Sequence, residues 1–264
     1  MRRITDGREL LDGPLDDAAA LRGNLRDLRR INHHLGGVSL SARALDALLA
    51  PRPAASEASA ASESSAASAA SAAPVHLLDV GTGAADIPVA LLRRSRVDQQ
   101  RVGDAWLRAT GIDDRAEVLD AARALDPILA DLEARGLLTL DLGDGRALPY
   151  RDGAFDVAHC SLVVHHLDPD GAVVMLREMA RVARAGIIVN DLVRGRLALA
   201  GAWLLTRLTT RNRYTRHDAP LSVRRAYSRA ELRDMLAVAG LEVAWEGTAL
   251  FGHRWAAAAR QPTR

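Results

Sequence analysis

A chain of 264 residues with 48% apolar and 26% charged side chains can bury a full core, which makes it a globular protein of one or two domains and excludes a disordered or fibrous one. A formal charge of only +2, no single basic block and an aromatic content of 3% argue against a nucleic-acid partner, although all 35 basic residues are arginine. Cys160 is the only cysteine, so no intramolecular disulfide can form. No apolar run spans a bilayer and the N-terminus lacks an apolar signal core, which makes a cytoplasmic protein the expectation.

Residues 15–50 are expected to be helical. Leu21, Leu25, Leu28 and Ile31 recur at three- and four-residue steps, and Asn32 to Gly37 break the pattern before a second helix carrying Leu45, Leu48 and Leu49. Residues 51–73 are almost entirely Ala and Ser, with nothing bulky to bury, and are expected to be a linker. From Pro74 onward strand and helix signals alternate, the pattern of a parallel sheet covered on both faces. The expected strands are Val75–Val80, Leu107–Ile112, Leu137–Leu142, Phe155–Cys160 and Gly186–Asn190, and the expected helices between them are Ile87–Arg94, Ala116–Leu125 and Ala172–Val182. A cap insertion is expected over about 192–227. It begins with an apolar helix, Leu192–Leu208, which either packs into the core or lines a pocket, and continues with an Arg-rich turn, Thr210–Asp218. Ser228 and Glu231 form a capping box for a helix to Ala239, and Leu241–Glu246 and Ala249–Ala257 read as closing strands.

The most informative segment is Leu77-Leu78-Asp79-Val80-Gly81-Thr82-Gly83-Ala84-Ala85-Asp86, a strand running into a glycine turn that opens a helix. Such a turn lets the backbone approach a ligand and presents unpaired amides to it. Asp113 ends the next strand, where a carboxylate can accept from ribose hydroxyls, and Asp144, in Asp141-Leu142-Gly143-Asp144-Gly145, could accept from an adenine amino group. Leu148 to Ala158 lead into a fourth strand that ends in Cys160-Ser161-Leu162-Val163-Val164-His165-His166. A nicotinamide dinucleotide is disfavoured, because Asp86 would repel its pyrophosphate.

In order and spacing, these segments over about residues 75–191 resemble the class I S-adenosylmethionine-dependent methyltransferases, in particular the quinone-biosynthesis and small-molecule group. The resemblance implies a Rossmann-like, seven-stranded, mostly parallel sheet with an antiparallel last strand and helices on both faces. It implies S-adenosylmethionine as cofactor, with Asp79, Gly81, Thr82 and Gly83 on its methionine and ribose side, Asp113 and Asp114 at the ribose, Asp144 and Gly145 at the adenine, and Ser161 near the sulfonium. Residues 1–50 would form a helical lid and 74–264 the catalytic domain. The chain departs from the family at Ala85, where a third glycine is common.

His165 and His166 end the fourth strand and are the candidate general bases, without a choice between them. Asn190 and Asp191 either contact the acceptor or cap the next helix, and His217 either contacts it or lies in a solvated loop. His33 belongs to the lid. No metal is expected, because the adjacent pairs His33-His34 and His165-His166 would not converge on one ion. The expected activity is O-methylation of a phenolic, quinol or polyketide-like small molecule, aromatic or lipid-tailed, with C-methylation of a ring as the alternative. An oxidoreductase is the weakest reading.

Overall fold

A computed structural model describes residues 1–50, 74–99 and 106–262. The expected linker 51–73 lies outside the described residues. Two helices come first, α1 (Ala18–His34) and α2 (Gly37–Leu49). The chain then runs through β1 (Val75–Val80), α3 (Asp86–Gln99), β2 (Leu107–Asp113), α4 (Ala116–Leu125), α5 (Ile128–Ala134), β3 (Leu138–Leu142) and β4 (Phe155–Ser161). It continues through α6 (Pro169–Val182), β5 (Ala183–Leu192), α7 (Arg196–Thr209), α8 (Arg213–Arg225), α9 (Arg229–Val238), β6 (Glu242–Thr248) and β7 (Arg254–Arg260).

The seven strands form one sheet in the order β3-β2-β1-β4-β5-β7-β6. Strands β1 to β5 pair in parallel, and β7 is antiparallel to both of its neighbours. This is the expected Rossmann-like architecture with a reversed last strand. Between β1 and β4 the strand order reverses direction, and at such a point the chain leaves a crevice at the carboxyl edge of the sheet.

The central strands are unbroken buried runs, such as Leu77–Val80 and Val157–Cys160, because helices cover both faces. On one face Met175, Leu176 and Met179 of α6 and Leu232 and Leu236 of α9 pack against Leu78, Val80 and Ile187. On the other, Leu91 and Leu92 of α3 and Leu119 of α4 pack against Leu77, Leu107 and Val157. Ala44, Leu45 and Leu48 of α2 belong to that same layer. Residues 1–50 are therefore not one lid. The α1 helix lies over the carboxyl edge, whereas α2 is part of the sheet's own cover, its apolar stripe too wide to leave in water.

Three other expectations change. The expected Arg-rich turn Thr210–Asp218 gives way from Arg213 to helix α8, capped by Asn212 accepting from the Thr215 amide and anchored by buried Tyr214, Asp218 and Val223. The segment's polar composition and internal Pro220 hide a helix that tertiary contacts stabilise. The α7 helix neither enters the core nor lines a pocket, since Thr206 is its only buried residue. The last strand starts at Arg254, not Ala249, because Leu250 and Phe251 form a turn closed by left-handed Gly252.

If α2 belongs to the core, Leu45→Ala should lower unfolding free energy by about 2–5 kcal/mol. Urea denaturation of the full chain measures it, and a loss well under about 1 kcal/mol would return α2 to the role of a detachable lid.

Candidate active site

The carboxyl ends of β1 to β4 open onto a cavity of about 440 Å³. The turn after β1 forms its floor. Gly81 and Gly83 adopt left-handed backbone, φ +67° and +53°, and a Cβ on Gly81 would come within 2.5 Å of Val163. Buried Ala85 is left-handed too, at φ 52°, which costs a non-glycine residue about 1–2 kcal/mol and accounts for the glycine common there.

Of the residues expected at the cofactor, Gly81, Thr82, Gly83, Asp113, Asp114, Asp144, Gly145 and Ser161 all lie on this one wall. Asp113 accepts from the amides of Gly83 at 3.0 Å and Arg115 at 3.2 Å, which clamps the ends of β1 and β2 together. Burial nevertheless pushes its carboxyl up to about 6. Asp144 is more open, and Arg146, bonded at 2.8 Å, holds its carboxyl below the usual range. Asp79 is the exception. It is buried beneath the turn, accepts from the Thr82 hydroxyl at 2.8 Å and lies 2.6 Å from His159 Nδ1, so it supports the floor without being part of the wall.

That contact begins a buried polar chain. His159 Nε2 lies 2.7 Å from Ser41 Oγ, which accepts from Asn190 at 2.8 Å. The Asn190 side-chain oxygen accepts from Arg254 at 2.6 Å, and Arg254 also donates to Asn32 and Ser161. Asn32 in turn donates to Asp86 at 3.1 Å, at the start of α3. Asn190 thus holds α2 and β7 and does not face an acceptor, contrary to the expectation. Burial lowers the Arg254 pKa to about 10 and raises that of Asp86.

A second cluster meets the cavity through Asp12 and His166. His165 and His166 sit on the short turn Val164–His166, with ring centroids 4.3 Å apart. His165 Nδ1 lies 2.7 Å from Asp191, and His166 Nδ1 lies 2.9 Å from Asp12. Burial opposes ionisation of both acids, but the imidazoles and nearby arginines outweigh it and hold both pKa values low. An ionised carboxylate can only accept, so each Nδ1 donates to its carboxylate and leaves the Nε2 of its ring on the far side. Those two Nε2 atoms face Glu9, 3.9 and 3.8 Å away, and burial raises the Glu9 pKa. Only His166 reaches the cavity wall; His165 is buried behind it. Asp191 therefore orients His165 and does not itself touch an acceptor.

The expectation that neighbouring histidines diverge fails here, because the tight turn aims both rings at one carboxylate. Glu9, His165 and His166 are the group among the described residues that could gather round an ion. The Arg225 guanidinium already lies 3.3 Å from the same Glu9 oxygen, and its charge opposes a divalent cation at that range.

His33 and His217 are not on the cavity wall. His33 is exposed and packs edge-on against His34, while half-exposed His217 bonds Asp218 at 2.7 Å. In place of His33 the wall holds Leu25, Leu28 and Asn32. The α1 repeat carried that signal, since Leu21, Leu25, Leu28 and Asn32 share one helical stripe. Glu9, Asp12, Arg225 and Arg254 gave none, being placed by partners 59 to 222 residues away.

Residues 78–189 match the methyltransferase domain family. An O-methyltransferase family 2 protein from Planctomyces limnophilus, solved in complex with apigenin, superposes with a TM-score of 0.59 at 18% identity, over 94% of this chain and 62% of that one. The pyocyanin biosynthetic protein PhzM superposes at 0.51 with 19% identity, over 71% and 51%. The mitomycin 7-O-methyltransferase MmcR does so at 0.50 with 23% identity, over 72% and 49%. This chain thus spans about half to three-fifths of the length of these three structures. No curated protein sequence matches it. The sheet order and the glycine turn place that matched segment on the Rossmann-like fold expected for it. Residues 78–189 thus carry a methyltransferase domain.

Asp113 gives a test of signed direction. Its raised pKa means that the folded chain holds a proton the unfolded chain has lost, so this residue's contribution to stability falls between pH 4 and about 6 and stays lost above. Asp113→Asn should therefore stabilise the ligand-free protein at pH 8 by about 1–2 kcal/mol and not at pH 4, while weakening S-adenosylhomocysteine binding by about 1.5–3 kcal/mol. Melts at the two pH values and calorimetry measure both, and an unchanged affinity would remove Asp113 from the cofactor site.

Proposed function

We propose that the enzyme methylates a hydroxyl on a small phenolic, quinol or polyketide-like acceptor, aromatic or lipid-tailed. One observation carries this reading: His166, its Nδ1 held by Asp12, stands on the cavity wall, with His165 and Asp191 buried behind it. The cavity lining also holds Leu11, Leu25, Leu28, Val163 and Leu167, which suits an aromatic ring or an alkyl chain. A phenol has a pKa of about 10, so attack on the sulfonium methyl at neutral pH requires a base for the hydroxyl proton. In this reading His166, the imidazole on the cavity wall, takes it. His165, with Asp191 behind it, and Glu9 can share the charge that develops.

The donor end supports the cofactor's part in this reading. Asp86, Asp113, Asp114 and Asp144 lie on the wall with Arg115 and Arg146, an acidic cradle suited to a sulfonium and ammonium and hostile to a pyrophosphate. Asp86 at the start of α3 would meet the methionine ammonium, Asp113 and Asp114 the ribose, and Asp144 and Gly145 the adenine edge. That the fold is shared with an O-methyltransferase solved with apigenin adds support for a small-molecule acceptor.

Two measurements test the proposal. Calorimetry should show S-adenosylhomocysteine binding and no comparable binding of NADH. In a screen of phenols read by product mass spectrometry, His166→Ala should lower kcat about 10²–10⁴-fold, with partial recovery as pH rises. Turnover within a few-fold of the parent, with methyl found on ring carbon, would replace this reading with C-methylation, which needs less base.

A further inference from the structure

The cap carries an exposed surface that the methyl-transfer reading does not use. On α7, Leu197 (87% exposed), Leu204 and Leu208 (75%) recur at seven- and four-residue steps and form one apolar stripe facing solvent. Exposed Trp203 runs beside it with Arg196 and Arg207, the Arg207 guanidinium 5.5 Å from the indole ring. The turn between β6 and β7 adds Leu250 (88%) and Phe251 (80%). Val193, in the link from β5 to α7, donates to the His253 carbonyl at 2.9 Å, so this turn and the start of α7 share the carboxyl edge of the sheet, where the cavity opens.

Charge is segregated onto the same region. Between Leu192 and Arg229 the chain has nine arginines and a single acid, Asp218, in a protein whose overall charge is only +2, so the remainder is net acidic. Asp218 is buried and bonded to the amides of Leu10 and Leu11. Arg207 and Arg216 donate only to backbone carbonyls, and among the described residues Arg196 and Arg211 have no carboxylate partner. An apolar stripe with an interfacial tryptophan, flanked by unneutralised arginines, is the makeup of a helix that lies in the headgroup region of a bilayer. A nucleic acid would use the arginines and leave the leucines in water.

We propose that α7 and the Leu250–Phe251 turn are a docking surface for an anionic lipid bilayer. The helix lies flat, with Leu197, Leu204, Leu208 and Phe251 below the headgroups and the arginines among the phosphates. This holds whether the methyl goes to oxygen or carbon. It also sets the cavity edge beside the surface in which a lipid-tailed acceptor is dissolved.

Co-sedimentation of the full chain with vesicles of phosphatidylcholine alone, or mixed with phosphatidylglycerol, is the test. Binding should require the anionic lipid and weaken at high salt. It should fall about thirtyfold in Arg207→Gln/Arg211→Gln, since a basic residue near an anionic surface contributes on the order of 1 kcal/mol. Leu204→Glu should abolish binding while leaving the melting temperature and S-adenosylhomocysteine affinity unchanged. Brominated lipid should quench the parent's fluorescence and spare Trp203→Phe. No vesicle binding, or binding indifferent to anionic lipid and salt, would overturn the proposal. A concentration-dependent dimer lost in Leu204→Glu, without vesicle binding, would overturn it in favour of an interface between copies of this chain.

Discussion

A guanidinium buried at the carboxyl edge of the sheet organises the rest of the molecule. Arg254, on the last strand, donates to Asn190 at the end of β5, Ser161 at the end of β4 and Asn32 on α1. All three acceptors are neutral, so the charge is stabilised by geometry and by the fields of Asp191 and Asp86, which lie close by. A buried ion is costly unless its hydrogen bonds are complete, so each of these side chains has little freedom to move. The consequences reach the cavity at two places. Ser161 is held on its wall, and Asn32 is held between Arg254 and Asp86, which fixes α1 as a roof over the glycine turn. Through Asn190 and Ser41 the same chain passes to His159 and Asp79, and so to the floor of the turn.

The two ends of the cavity solve different electrostatic problems. At the donor end carboxylates are gathered with few cations, and Asp113 is kept partly desolvated at a cost to the ligand-free protein. That arrangement makes sense for a cofactor that brings positive charge and hydroxyl donors, and it is an instance of stability given up where binding needs it. Around His165 and His166 the carboxylates are each matched to an imidazole or to Arg225. There Asp191 and Asp12 accept from the imidazole Nδ1 atoms, and Asp12 also from Arg225.

The N-terminal segment is what joins the cap to this second end. Glu9 accepts from Ser222 at 2.9 Å, the amides of Leu10 and Leu11 donate to Asp218, and Asp12 pairs with both His166 and Arg225. Any movement of α8 is therefore passed directly to the groups around His165 and His166. The outer helix, α7, is bonded to α8 through Arg207 and Arg216 and presents its apolar side to solvent.

Much of this was legible in the residue order, for reasons that are local. Strand runs buried on both faces, the glycine turn after β1 and the acids closing β2 and β3 depend on neighbours a few residues apart, so their spacing alone brought Asp113, Asp144 and Ser161 to one wall. The same reasoning misjudged residues whose role depends on which way a side chain turns. Asn190 and Asp191 end one strand and so point to opposite faces, one into the Arg254 network and the other behind His165, and neither faces the cavity. Asp79 sits in the right motif and is drawn under it by His159, eighty positions along the chain. Glu9, Asp12 and Arg225 are ordinary charged residues in sequence, and they acquire a function only where folding removes water and leaves them each other as partners. Periodicity and turn chemistry act over one or two helical turns and can be read in a line of letters. Burial and charge pairing arise between distant segments, and only the assembled chain decides them.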